Sequence, residues 1–167
     1  MLIKLILKAR KKLRRFFFDV KYKGRFKGQQ FDHSLRCDNA EGFTFGERCY
    51  VGPGCHFDAL GGLAISDYVI IGPHVKIWTY NHDIKSDLIP YGEENLMLPV
   101  FIGRGVWVAM GAIILPGAEI GEGCIIAAGS IVKGKVPAFS IVRPYYSEHQ
   151  PLDIVKRSGA YYRKKNG

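Results

Sequence analysis

The stretch IGRGVWVAMGAIILPGAEIGEGCIIAAGSIVKGKV, residues 102–136, repeats itself every six positions. Ile102, Val108, Ile114, Ile120, Ile126 and Val132 hold an aliphatic place. Four positions after each stands a small or β-branched residue: Val106, Ala112, Ala118, Cys124, Ser130 and Val136. Gly103, Ala109, Gly121 and Ala127 follow the aliphatic residue directly. A period of six fits neither a helix nor a simple alternating strand. It suits a short strand and a turn, and three such units close one triangular coil of about eighteen residues. The aliphatic side chain then points inward and stacks on its equivalent one coil away. The small residue fits the tight inner corner, and Gly72, Gly105, Gly117, Gly123 and Gly129 suit the turns.

The same frame runs back through Ile65, Ile71 and Ile77, with Val69, Val75 and Asn81 in the small place. It runs further back through Phe45, Val51 and Phe57, with Cys49, Cys55 and Gly61. Coils over residues 45–64, 65–82, 102–119 and 120–137 are expected, enough for mutual stacking to form a core. The frame breaks twice. Phe57 to Ile65 is a step of eight, which places a bulge at Leu60-Gly61-Gly62. Residues 83–101, with Pro90, Gly92, Glu93, Glu94 and Pro99, read as an excursion loop. Loops of this length in a compact domain serve function or interfaces.

The two ends differ from the repeat. Residues 2–20 set Leu2, Ile3, Leu5, Ile6, Leu13, Phe16, Phe17 and Val20 among basic residues, without Pro or Gly. That is the pattern of an amphipathic helix. Pro151 to Ser158 reads as a short helix closed by Gly159, and Arg163, Lys164 and Lys165 as a solvated tail. Three regions follow: a basic amphipathic segment 1–28, a β-helix domain 29–143, and a C-terminal helix and basic tail 144–167.

The chain has 167 residues, 47% of them hydrophobic and 23% charged, as in a folded globular domain. The net charge of +9 is local. Residues 1–28 hold eleven Lys and Arg against one acid, Asp19, leaving thirteen bases and fourteen acids in the rest. A nucleic-acid groove on the body is therefore not expected. No apolar run approaches the ~20 residues that span a bilayer, and the basic N-terminus lacks a signal-peptide cleavage pattern. Cys37, Cys49, Cys55 and Cys124 show no metal-like spacing. They read as buried reduced thiols of a cytoplasmic protein, with no metal.

The repeat resembles the left-handed β-helix acyltransferases, and within them the sugar O-acetyltransferase branch of maltose, galactoside, nodulation-factor and polysaccharide acetyltransferases. The resemblance covers residues 43–142. It rests on Ile71-Gly72-Pro73-His74-Val75, on Tyr80-Asn81-His82-Asp83, and on Ile102-Gly103-Arg104-Gly105-Val106-Trp107-Val108. Gly111-Ala112-Ile113-Ile114-Leu115-Pro116-Gly117 and Ala127-Ala128-Gly129-Ser130-Ile131-Val132 complete it. The fold it implies is all-β: a left-handed parallel β-helix of four to five coils, with an N-terminal amphipathic helix and a short C-terminal helix. It further implies a homotrimer with sites between subunits, acetyl-CoA as co-substrate, and a catalytic histidine just before the long loop, here His82. The family asparagine of an earlier coil is missing from residues 52–60, where Asp58 is the nearest polar residue. The chain also ends the repeat as Ile141-Val142-Arg143-Pro144-Tyr145-Tyr146 instead of the family's Gly-Asn-Pro-Ala-like segment.

Acyl transfer from a thioester to a hydroxyl needs a base for the attacking alcohol, stabilisation of the thioester oxygen, and both substrates held together. Histidine, ordinarily titrating near ~6.5, is suited to the first task. His82 is accordingly the expected general base for direct attack. Asn81 reads either as a stacked inward amide or as a ligand residue. Asp83 either orients the imidazole or is solvated. Trp107 should point outward, to be covered by a neighbouring subunit or by pantetheine, and Trp78 suits subunit packing. Met110, Ala128, Lys133 and Gly134 match family positions lining the CoA groove. The Gly111 N–H is a candidate to polarise the thioester carbonyl. Lys133, Lys135 and Arg143 suit CoA phosphates, against a plain solvated face.

The acceptor expected is a saccharide, free or lipid-linked, in bacterial surface polysaccharide biosynthesis. The alternatives are a xenobiotic (chloramphenicol-type) or amino-sugar N-acetyltransferase, a γ-type carbonic anhydrase using His56, His74 and His82, and a non-enzymatic β-helix binding module. The segment 1–20 either attaches peripherally to the inner face of the cytoplasmic membrane or packs on the end of the prism.

Overall fold

The computed structural model describes residues 2–24, 26, 29–85, 87, 92–144 and 154–156. A helix, α1 (Leu2–Lys21), leads into a parallel β-helix of about five coils with three faces. Face one stacks Gln30–Phe31, Tyr50–Val51, Ile70–Ile71, Trp107–Val108, Ile125–Ile126 and Ser140–Val142. Face two stacks Arg36–Asp38, His56–Asp58, Lys76–Trp78, Ile113–Ile114 and Ile131–Val132. Face three stacks Phe43–Phe45, Leu63–Ile65, Val100–Ile102, Glu119–Ile120 and Lys135–Val136.

The aliphatic residues of the repeat fill the interior. Val51 pairs with Ile71, Ile71 with Val108, and Val108 with Ile126, and all four are buried. Phe57, Ile77, Ile114 and Val132 form the matching stack on face two. Small residues take the corners, where Cys49, Cys55 and Cys124 send their thiols to the Ser66, Gly72 and Pro137 carbonyls at 3.1, 3.1 and 3.0 Å. All four cysteines are buried and unbridged. Burial pushes the Cys37 thiol up to about 12 and that of Cys55 to about 11. The corner between faces one and two needs left-handed backbone. Gly54, Gly111 and Gly129 supply it at φ of 70°, 69° and 71°, while His74 adopts it at 59° in spite of its Cβ.

The coils are not equal. Tyr50 pairs with Ile70, a step of 20 residues, and Trp107 with Ile125, a step of 18. The two additional residues sit in the corner between faces two and three, where Asp58 Oδ1 accepts the Leu60 N–H at 3.1 Å. This is the bulge expected at 60–62. The first coil, from Gln30 to Phe45, repeats it: Cys37 to Phe45 is again a step of eight, and Ala40–Gly42 forms a short 3-10 turn there.

An aromatic cluster of Phe18, Tyr22, Phe26, Phe31 and Phe43 closes the N-terminal end, all five buried. The Tyr22 hydroxyl accepts the Cys37 N–H at 2.8 Å and donates to the Leu35 carbonyl at 3.3 Å, so it satisfies an otherwise open strand edge. At the other end Ile154–Lys156 pairs antiparallel with Ser140–Val142. The helix expected over 151–158 is thus replaced, at these residues, by a strand. Ile154 and Val155 are β-branched and the last strand of face one offers an edge to pair with. Pro151, Ser158 and the tail residues Arg163, Lys164 and Lys165 lie outside the described residues.

Candidate active site

The excursion leaves the corner between faces two and three. Thr79 anchors its base. It is buried, its hydroxyl donates to the Asp58 carbonyl at 2.9 Å and accepts the Gly61 N–H at 2.8 Å, and its carbonyl accepts the Leu98 N–H at 2.8 Å. A Cβ on Gly61 would run into that same Thr79 carbonyl, so the close approach requires glycine here. From this base the chain rises as an antiparallel hairpin, Tyr80–His82 against Asn95–Met97. The excursion therefore begins and ends earlier than residues 83–101. Val100–Ile102 already stand in face three, paired with Leu63–Ile65.

His82 lies on the first arm, opposite Asn95, with its side chain exposed. Its ring stands edge-on to Tyr80, with centroids 6.4 Å apart. Asn81 is exposed and does not enter the inward place that the six-residue frame assigned to it. The coil has already left that frame at Thr79, and the Asn81 Oδ1 instead accepts the His82 N–H at 2.9 Å. The Asp83 carboxylate accepts the Lys85 N–H at 2.9 Å, while the Asp83 carbonyl accepts the Gly92 N–H at 2.7 Å. Asp83 thus shapes the hairpin beyond His82.

The remaining expected residues separate into three places. Asp58 is only 6% exposed and braces the corner, accepting the Asn39 Nδ2 at 2.8 Å. Trp107 points outward from face one, 49% exposed, between Ile70 and Ile125. Met110, Gly111 and Ala128 lie in the corner between faces one and two. The Gly111 N–H donates to the Pro73 carbonyl at 2.9 Å, so it is consumed in stacking the turns and is not directed at a thioester. The Gly129 N–H meets the Met110 carbonyl in the same way, at 3.0 Å. Arg143 follows the last strand of face one and is exposed. Lys133 and Gly134 lie on the same edge as the hairpin, two coils along, or about 10 Å at the usual strand spacing. Lys135 is on face three, its Nζ 3.0 Å from Glu119 Oε2.

A second cluster on the outer side of face two was not singled out from the sequence. Asp38 Oδ2 lies 2.8 Å from His56 Nε2 and 2.8 Å from Arg36 Nε. The His56 ring stands edge-on to Trp78 at 4.7 Å. Hydrogen bonding to His56, more than to Arg36, holds the Asp38 carboxyl below the usual carboxylate range against a smaller effect of burial. The signal was available: Asp38, Asp58 and Trp78 recur at steps of 20, as do Arg36, His56 and Lys76. It becomes visible once the early coils are known to be two residues longer than the later ones. Among the described residues no three His, Cys, Asp or Glu side chains are placed to hold a metal ion.

Stacked six-residue units, broken once by a histidine-bearing hairpin, define a hexapeptide-repeat β-helix. The profile of the bacterial transferase hexapeptide (six repeats) matches residues 99–134, and the repeat is similar to that of hexapeptide-repeat acetyltransferases. It is 36% identical over 75 residues, 45% of its length, to the galactoside O-acetyltransferase of Escherichia coli strain K12, and spans 36% of that protein. It is 26% identical over 149 positions, covering 71% of this chain and 74% of the relative, to a provisional lipopolysaccharide biosynthesis O-acetyl transferase of the same organism. The crystal structure of a maltose O-acetyltransferase from Clostridium difficile 630 superimposes with a TM-score of 0.67 at 27% identity, covering 90% of this chain and 84% of that one. The chain spans about half the length, or less, of the curated relatives that match it at 36–37% identity.

Proposed function

We propose that this chain transfers an acetyl group from acetyl-CoA to a saccharide hydroxyl, in the modification of a bacterial surface polysaccharide. The observation that carries the reading is the position of His82. It is the one histidine on the hairpin, exposed beside Tyr80, where the repeat has given up stacking. In the proposed reaction the imidazole takes the acceptor hydroxyl proton while that oxygen attacks the thioester carbonyl. The carbon–sulfur bond breaks, CoA leaves as thiolate, and the imidazolium returns a proton to it. No covalent enzyme intermediate is required.

The working unit proposed is a homotrimer with the site between subunits. Tyr50, Ile70, Trp107, Ile125 and Ile141 stand in register along the outside of face one, an apolar ladder suited to a neighbouring copy. Trp107 and His82 occupy different parts of the prism, so they share a site only if a second subunit contributes one of them. Lys133, on the hairpin edge, and Arg143 are exposed cations that suit the phosphates of CoA. The lipopolysaccharide-related and maltose O-acetyltransferase relatives support a carbohydrate acceptor.

The test is incubation of the full chain with acetyl-CoA and a panel of saccharides, nucleotide sugars, amino sugars and chloramphenicol. CoA thiol release and product mass are followed beside a His82→Ala variant. O-acetylated saccharide from the wild type and its loss in the variant are expected. Acetylation confined to an amine or to chloramphenicol would overturn the acceptor, and unchanged turnover in the variant would overturn the base.

A further inference from the structure

We propose that α1 docks on an anionic lipid surface, lying in its plane with the β-helix held on the far side. The inference stands apart from the acyl-transfer reading and rests on which way the helix faces. Among the described side chains of α1, with Tyr22 directly after it, only Phe18 and Tyr22 enter the core, flanked by Arg15 and Asp19, which are half-buried and paired at 3.2 Å. At about 100° per residue these four define one side of the helix. Ile6, Ala9, Leu13, Phe16, Phe17 and Val20 gather about 150° away from that side. Apart from Ala9 each of them is between 49% and 60% exposed, and Ala9 is exposed as well. The helix thus meets the body through a short aromatic contact at its C-terminal end and leaves its broader apolar arc facing outward, where no part of the described body covers it.

The charges say what covers that face. Lys4, Lys8, Arg10, Lys12 and Arg14 are exposed, and Arg10 and Lys12 border the apolar arc on its two sides. The only acid on the helix, Asp19, is already held by Arg15. In a bundle of copies the bordering cations would face one another without acidic partners, which disfavours self-association. Phe17 also widens the arc beyond the narrow seam a coiled coil needs. At an anionic bilayer the same cations meet headgroup charge while their stems lie along the apolar region. No helix of the described residues is long and apolar enough to cross a membrane, so insertion is in-plane.

The experiment is flotation of the full-length protein with phosphatidylcholine vesicles and with vesicles also containing phosphatidylglycerol. The wild type, Phe16→Ser/Phe17→Ser and Arg10→Glu/Lys12→Glu are compared. Because these positions are exposed, thermal unfolding and the mass from light scattering should match across the three proteins. Recovery with the anionic vesicles should fall about tenfold in each variant, and about tenfold for the wild type on phosphatidylcholine alone. Absence of wild-type flotation, equal flotation of either variant, or equal flotation on neutral vesicles would overturn the proposal. So would a lower assembly mass in Phe16→Ser/Phe17→Ser, which would make the face a contact between copies.

Discussion

The coils from Trp107 to Val136 and the hairpin at residues 80–97 are both built from short strands, yet they use them in opposite ways. In the coils a strand pairs on both sides until the last turn, as Trp107–Val108 does with Ile70–Ile71 and Ile125–Ile126, and among the described residues only the end strands Ile131–Val132 and Lys135–Val136 pair on one side. Every second side chain is sealed inside. In the hairpin the two arms pair only with each other, and Asn81, His82, Asn95, Leu96 and Met97 are all exposed. A two-stranded ribbon is marginal by itself. This one is held by its base, through Thr79 and the Leu98 N–H. The difference separates stability from chemistry. A side chain that stacks cannot reach a substrate, and a side chain on the hairpin contributes little to holding the prism.

That separation can be broken by experiment. The largest effect expected is on the hairpin side: His82→Ala should lower acetyl transfer by about 10²- to 10⁴-fold. Its melting temperature should stay near that of the wild type, and a large fall would show that the hairpin is structural after all. Ile114→Ala, in the buried stack of face two, should do the reverse. A loss of about 2–5 kcal/mol is expected from denaturant unfolding, with turnover per folded molecule retained. A smaller effect is expected at alkaline pH. The Cys37 and Cys55 thiols are held up at about 12 and about 11 in the folded chain, whereas an unfolded thiol ionises near ~8.5. Their contribution is complete below the unfolded value and is lost as pH rises toward the folded ones. The denaturation midpoint should therefore fall between pH 9 and 11, and less so in Cys37→Ala/Cys55→Ala. The smallest effect should come from Leu96→Ser on the second arm, within about 0.5 kcal/mol of wild-type stability. A greater loss would mean that Leu96 packs against something beyond its own chain.

The repeat was legible because its signal is redundant. Val108, Ile114 and Ile126 each report the same period, and a buried stack tolerates little else in that place. What the period does not encode was harder to read. Asn81 falls on the frame by counting, but the chain departs at Thr79, whose hydrogen bonds to Gly61 and Asp58 are contacts between coils. The Gly111 N–H looked available on a glycine turn, yet stacking assigns it to Pro73. The pairing of His56 with Asp38 depends on the twenty-residue length of the early coils, which a strict six-residue count conceals. At the C-terminus, Pro151 and Gly159 imitate helix boundaries, and the strand at Ile154–Lys156 is decided by the open edge it meets.

The uniform stacking of the later coils also makes the protein a measuring device. Each coil advances the axis by one strand spacing, about 4.8 Å. The distance from the hairpin base to Lys133 is therefore an integer number of divisions. Inserting one eighteen-residue coil after Gly117 would lengthen that interval by one division while every residue kept an equivalent neighbour. The span between the exposed histidine and the basic corner is thus written in the sequence as a number of repeats, and it can be reset in whole steps without redesigning the core.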